Sequence, residues 1–222
     1  MDLTIFIGYD KREDLAAQVC KFSIVRRLRQ YADVKFLRSE DIPEFTRPRE
    51  PHQATDFTYT RFLAPYLCGF KGFSIFCDCD FLFVDDVSTV FQDVDLRNAV
   101  SVVKHPQYMP LSSVKMDGVS QTPMWRKNWA SFMVFNNEHP HLSVLTPEFV
   151  NTFPGRSLHQ FGWLNDKYLG SLPLEWNCLD QYYHLTKPKA IHYTDGGPWF
   201  DKYQDTFYSQ QWINEYNVYQ SA

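Results

Sequence analysis

No apolar run in these 222 residues is long enough to span a bilayer. The opening Met-Asp-Leu-Thr-Ile-Phe-Ile-Gly carries no basic stretch ahead of its short hydrophobic run, so it does not read as a signal peptide. The expectation is a protein with no membrane anchor that stays in the cytoplasm where it is made, a host's cytoplasm if the source is a virus. Positive charge is not in excess either: 22 Lys and Arg stand against 26 Asp and Glu, for a net charge of −4, and the basic residues are scattered. That pattern excludes the basic footprint of a nucleic-acid binder. The five cysteines (Cys20, Cys68, Cys77, Cys79, Cys178) are odd in number and lack zinc-type spacing, which excludes a disulfide framework and a zinc finger and suits reduced thiols. No internal repeat or low-complexity tract is present. Aromatic residues are what the sequence has in plenty, at 17%, with 19 Phe, 13 Tyr and 6 Trp. Most of the Phe fit a core, whereas Tyr and Trp also have flat faces able to line a groove for sugar rings. With 44% hydrophobic and 22% charged residues, the composition and length fit one α/β domain over residues 1–222.

Hydrophobic periodicity orders the chain. Leu3 to Ile7 is a β-rich apolar run stopped by Gly8. Arg12 to Leu28 has helical spacing at Leu15, Val19, Phe22 and Leu28, and Val34 to Leu37 is a second strand. A β-α-β opening predicts a parallel sheet flanked by helices, with a right-handed crossover. Pro43 to His52 reads as a surface loop, Phe57 to Cys68 as a helix, and Phe73 to Cys77 as a third strand running into Asp78-Cys79-Asp80. Further strands are predicted at Ala99 to Val103, Phe132 to Asn136 and Ala190 to Tyr193.

Successive side chains of an extended chain alternate faces, so Asp78 and Asp80 project to one side and Cys77 and Cys79 to the other. Two converging carboxylates suit a hard divalent cation such as Mn²⁺ or Mg²⁺, which also takes substrate phosphates as ligands. Asp-x-Asp is a common spacing, and a second copy occurs at Asp93-Val94-Asp95. Context separates the two: the first follows a buried-looking strand, where open α/β sheets place ligands, and the second sits in a polar stretch that reads as a solvated turn.

Five segments in order carry a resemblance to a known family. They are Ile5 to Asp10 with Arg12 and Glu13, Thr58 to Pro65, Ile75 to Asp80, Leu172 to Asn177, and Ile191 to Trp199. The chain resembles the glycogenin and bacterial galactosyltransferase group, family 8 of the retaining glycosyltransferases, and most closely its small viral and bacterial relatives such as chlorella-virus glycosyltransferases. The resemblance implies a Rossmann-like GT-A nucleotide-sugar-binding fold with a mostly parallel central sheet. It implies metal-dependent transfer of a hexosyl or deoxyhexosyl unit, with retention, from a nucleotide diphosphate sugar, UDP-linked, to a hydroxyl on a glycan or glycoprotein.

Residue by residue, the resemblance implies that Gly8, Tyr9, Asp10 and Arg12 hold the base and ribose, although Asp10 also reads as a helix N-cap. It implies that Asp78, Asp80 and His192 bind the metal, that Cys79 between the aspartates belongs to the donor segment, and that Arg61 steadies the carboxylates or the donor. Asp117, Asn128 and Ser131 are candidates for the sugar hydroxyls. Asp166, with Gln160 second, is the candidate for the carboxylate beneath the sugar, a surface role being the alternative for both. The family's lysine before Pro-Trp is replaced by Gly197, leaving Lys202, Lys127 or Lys115, or a nest of N–H groups at Gly196 and Gly197, to meet the diphosphate. Two other classes remain open: a sugar nucleotidylyltransferase, against which the single glycine of Gly8-Tyr9-Asp10-Lys11-Arg12 speaks, and a non-catalytic carbohydrate-binding module.

Overall fold

The computed structural model describes residues 2–50, 53–106 and 125–222. The chain opens with strand β1 (Leu3–Gly8), helix α1 (Asp14–Val25) and strand β2 (Asp33–Leu37), and β1 and β2 pair in parallel. Ile5 and Ile7 are fully buried, as expected of a strand covered on both faces. After the short helix α2 (Ala64–Leu67) comes β3 (Phe73–Cys77), parallel to β1 on its other side. Strands β4 (Phe81–Phe83), β5 (Val100–Val103) and β6 (Phe132–Asn136) follow, then helices α3 (Pro147–Thr152) and α4 (Gly155–His159) and strand β7 (Leu169–Leu172). The main sheet has the order β2-β1-β3-β6-β5-β7. Only β6 runs against its neighbours, so the other five strands point one way and deliver their carboxyl ends to a single edge. The sequence reading of a mostly parallel α/β sheet holds.

A second, three-stranded sheet of order β4-β9-β8 is built from β4, β8 (Cys178–Leu179) and β9 (Ala190–His192). The expectation that Ala190 to Tyr193 forms a strand is met, but in this small sheet, whose other strands are too short to leave a periodic signature. Helix α5 (Ser209–Gln220) packs on α1 through Glu215, whose carboxylate takes Arg27 at 2.7 Å through both oxygens.

The helix expected over Phe57 to Cys68 is corrected: the segment is a series of turns, a 3-10 turn at Thr60–Leu63 and the four-residue α2. Phe57, Phe62, Leu63 and Ala64 are all buried, which a surface helix with one apolar face does not achieve. Gly69 at φ 60° then turns the chain into β3. Among the described residues, no helix is long and apolar enough to cross a membrane.

Candidate functional site

The residues leaving β3 at that common edge are the acidic ones. The N–H of Asp78 donates to the carbonyl of Ser131 at 3.0 Å, which ties the acid to the start of β6. Asp80 leads into β4, whose antiparallel pairing with β9 sets Phe81 opposite His192, while the N–H of Tyr193 donates to the carbonyl of Asp80 at 3.0 Å. This register carries an imidazole from far along the chain to the carboxylate: His192 Nε2 lies 3.3 Å from Asp80 Oδ1. The imidazole also stacks on Phe81, with ring centroids 4.4 Å apart and planes at 19°. One ligand atom from each of Asp78, Asp80 and His192 lies within 4.8 Å of the others, the compactness a single cation requires. Two hard oxygens and one imidazole nitrogen fit Mn²⁺ or Mg²⁺ with positions left for phosphate oxygens.

Arg61 is buried beside this group. It pairs with Asp78 at 2.8 Å and donates to the carbonyls of Ala130 and Thr58 at 2.9 and 3.0 Å, with its guanidinium close to the rings of Phe57 and Phe76. It therefore steadies a carboxylate of the trio. Behind His192 lies a polar layer. Asn177, Ser131 and the carbonyl of Asn128 are joined by hydrogen bonds, and Asn177 Oδ1 is 2.9 Å from His192 Nδ1. Asn128 sits in the left-handed region at φ 61°, a conformation that Asn tolerates better than most residues, and its side-chain amide donates to Thr194 at 3.0 Å.

Asp78 and Asp80 face a cleft of about 680 Å³ whose wall includes Arg61, Lys127, Asn128, Ser131 and Thr194. Glu13, Glu50, Tyr59, Arg156 and His159 also line it. Sequence reasoning left Arg126, Arg156, His159 and Thr194 without a role: they lie in irregular or short elements, and the 3.6 and 2 residue periods do not mark them. Burial first, then the charge of Arg61, holds His159 down at a pKa of about 3, so it stays a neutral hydrogen-bonding group. Tyr59 is pushed up to about 12 by burial and by its hydrogen bond to Glu50.

Several expected donor contacts have other occupations. A Cβ on Gly8 would stand 2.4 Å from the ring of Phe57, so the missing side chain accommodates a core aromatic. The hydroxyl of Tyr9 donates to Asp14 at 2.8 Å, and its ring is covered by Arg38 and Phe36. Asp10 is buried and N-caps the turn at Lys11–Glu13. It accepts from the backbone and side chain of Arg12 and from the N–H of Asp56. Burial raises its pKa, but the Arg12 bonds outweigh that and hold the carboxyl below its ordinary value. The capping alternative therefore accounts for Asp10, and Arg12 is its clamp. Cys79 is buried in the core, on the face opposite the aspartates, and burial pushes its thiol well up.

Gln160 and Asp166 are not among the cleft-lining residues. Asp166, its side chain 70% exposed, pairs with Arg126 at 2.7 Å, and the carbonyl of Gln160 accepts from the same arginine. Gly196 and Gly197 make room for the rings of Tyr203 and Trp199, and the N–H of Gly196 donates to the carbonyl of Tyr193. The glycines thus leave space for two rings of the packing. Lys202 is exposed over Tyr203, outside the cleft, whereas Lys127 lines it. Asp93, expected as a solvated turn, accepts from Trp176 Nε1 at 2.9 Å, while Asp95 is exposed and paired with Arg97. Asp117 and Lys115 lie outside the described residues.

No family model matches the sequence. Among solved structures the fold is shared with the bifunctional glycosyltransferase WbbM, at TM-score 0.67 and 18% identity over 97% of this chain, and the chain spans about half of that protein, 49% of its length. The galactosyltransferase LgtC, solved with donor and acceptor sugar analogues, superposes at TM-score 0.63 and 13% identity, covering 97% of this chain and 95% of that one. The glycosyltransferase GlyE of Streptococcus pneumoniae TIGR4 gives 0.60 at 15% identity, covering all of this chain and 62% of its own. These likenesses establish the GT-A architecture. Protein CDI of Arabidopsis thaliana is 41% identical over 224 aligned positions, which cover 97% of this chain and 86% of the relative. Sequence identity of that extent, on a sheet that gathers its acidic pair at one edge, makes the chain a member of the family of Protein CDI.

Proposed function

We propose that the chain is a glycosyltransferase that moves a hexosyl or deoxyhexosyl unit from a UDP-linked donor to a hydroxyl of a glycan or glycoprotein acceptor. The observation that carries this reading is the convergence of Asp78, Asp80 and His192 beside a cleft of about 680 Å³, a volume suited to a nucleotide sugar. Asp78, Asp80 and His192 would hold Mn²⁺ or Mg²⁺, which when bound offsets the charge developing on a departing diphosphate. Lys127, lining the same cleft, is placed to meet the diphosphate in the role the resemblance gives to a lysine before Pro-Trp. Asn128 and Ser131 line the wall where sugar hydroxyls would lie, and both are fixed by their own hydrogen bonds, so little ordering remains when a ligand arrives. Retention of anomeric configuration follows by analogy.

Calorimetry with UDP, with and without Mn²⁺, tests the reading, together with hydrolysis of a panel of nucleotide sugars. UDP binding that requires Mn²⁺ and is lost in Asp80→Ala and His192→Ala is the expected outcome. Binding of glycans that ignores both Mn²⁺ and UDP refutes it in favour of a carbohydrate-binding module. Release of pyrophosphate from a nucleoside triphosphate refutes it in favour of a nucleotidylyltransferase.

A further inference from the structure

We infer that Asn177 is a positioning residue that places the proton of His192 on Nδ1, leaving Nε2 as a bare lone pair directed at the carboxylates. The inference deepens the metal-site reading of Asp78, Asp80 and His192 and rests on it. A neutral imidazole ligates through the nitrogen that lacks hydrogen, and which nitrogen that is depends on the partner of the other one. Here the two candidates compete. His192 Nε2 is 3.3 Å from Asp80 Oδ1, and a carboxylate by itself would draw the proton to Nε2 and spoil the ligand.

The order of hydrogen bonds behind the ring decides the contest. It starts at the carbonyl of Asn128, which can only accept. Ser131 Oγ donates to that carbonyl at 2.7 Å, so its one proton is committed and its oxygen must accept from any other partner. Asn177 Nδ2 lies 3.2 Å from the same carbonyl and 2.9 Å from Ser131 Oγ. Two acceptors on that side fix the amide with its NH₂ toward them, because the flipped amide would set one carbonyl against another. Oδ1 of Asn177 therefore faces His192, 2.9 Å from Nδ1, and the bond between them has Nδ1–H as donor; Ser131 Oγ, 3.4 Å from the same nitrogen with its own proton on the Asn128 carbonyl, can also only accept there. Asn177 is fully buried, and Ser131 and His192 nearly so, so the order of these bonds is set by the side chains of the layer. Stacking on Phe81 holds the imidazole plane in which Nδ1 faces Asn177 and Nε2 faces Asp80.

The experiment is nitrogen NMR of ¹⁵N-histidine-labelled protein, metal-free at pH 8, with His192→Gln used to identify the resonances. The wild-type protein is expected to show a protonated, pyrrole-type Nδ1 and an unprotonated, pyridine-type Nε2 at His192. A proton on Nε2 with a bare Nδ1 overturns the inference, with no Asn177 variant required. Asn177→Leu, similar in size and unable to accept, is expected to move the proton to Nε2 and to weaken Mn²⁺ binding, measured by calorimetry, by roughly 10- to 100-fold, the usual cost of losing a partner behind a metal ligand. Asn177→Asp keeps an acceptor on Nδ1 and is expected to keep the wild-type tautomer. An unchanged tautomer in Asn177→Leu refutes the inference. A wild-type protein with the expected tautomer but no Mn²⁺ affinity sinks the metal reading and leaves the tautomer assignment standing.

Discussion

Replacing Arg61 by methionine should destabilise the metal-free protein strongly and make Mn²⁺ a better stabiliser than it is for the wild type. Methionine keeps an aliphatic stem between Phe57 and Phe76, so little packing is lost. What goes is the pair with Asp78 at 2.8 Å and the donors to Ala130 and Thr58. Breaking a buried ion pair by removing one partner costs about 3–5 kcal/mol, and two carbonyls without donors add about 1 kcal/mol each. The side chain of Asp78 retains 17% exposure, which lets water screen part of the orphaned charge. The total therefore belongs near 3–5 kcal/mol, with the carbonyl losses making up for that screening. For a chain of this length each kcal/mol moves Tm by about 2–4 °C, so the melting temperature should fall by about 6–20 °C. Without the guanidinium, the charge of Asp78 is less offset and attracts a cation more strongly. A tenfold tighter Kd adds about 1.4 kcal/mol to the stabilisation at saturating metal. Differential scanning fluorimetry of both proteins across an Mn²⁺ titration measures both effects. A variant melting within about 2 °C of wild type, or one that gains no more from Mn²⁺ than wild type does, would refute the reasoning.

Glu215→Ala removes the carboxylate through which α5 holds Arg26 and Arg27, just past the end of α1. The loss of a buried, bidentate pair should lower stability by about 2–4 kcal/mol in urea denaturation and leave UDP binding unchanged. Gly8→Ala sets a methyl against Phe57 and should cost about 1–3 kcal/mol of stability, while UDP affinity in the folded fraction stays at the wild-type value; a selective loss of UDP affinity would restore the nucleotide role for this glycine. Burial, and after it the charge of His192, holds His105 at a pKa of about 3, far below its unfolded value. The unfolded chain therefore binds the extra proton first, and stability present at neutral pH is lost as pH falls below about 6.5, by about 1.4 kcal/mol per unit, until the folded pKa is reached. His105→Phe should flatten the stability profile between pH 6 and pH 4, and an unaltered slope excludes His105 as its source.

Much of the architecture was legible because its signals are local. Runs of buried β-formers marked β1, β3 and β6, and the helical spacing of Leu15, Val19 and Phe22 marked α1. Asp78 and Asp80 converge and Cys79 is in the core, as expected, although the segment leaves β3 as a turn and not as a continued strand. What surrounds Gly8, Gly196 and Gly197 was not legible, because a glycine that admits a ligand and a glycine that admits a neighbouring ring look alike until the ring of Phe57, Tyr203 or Trp199 is in place. That Asp166 and Gln160 lie off the cleft lining was not legible either, because a residue in a short helical segment has no period to say which way it turns.

By itself, then, the order of residues determined a parallel sheet and its acidic strand end, since each depends on neighbours a few positions apart, while the candidate imidazole came from the resemblance carried by Ile191 to Trp199. Tertiary structure alone decided that His192 meets Asp80. That contact comes from the pairing of two three-residue strands, each too short to be recognised alone and stable only because the other supplies its hydrogen bonds. The same holds for Arg61 on Asp78 and for Asn177 on His192: hydrogen-bond direction in a buried layer is a property of the whole set of donors and acceptors, and no segment of the chain contains that set.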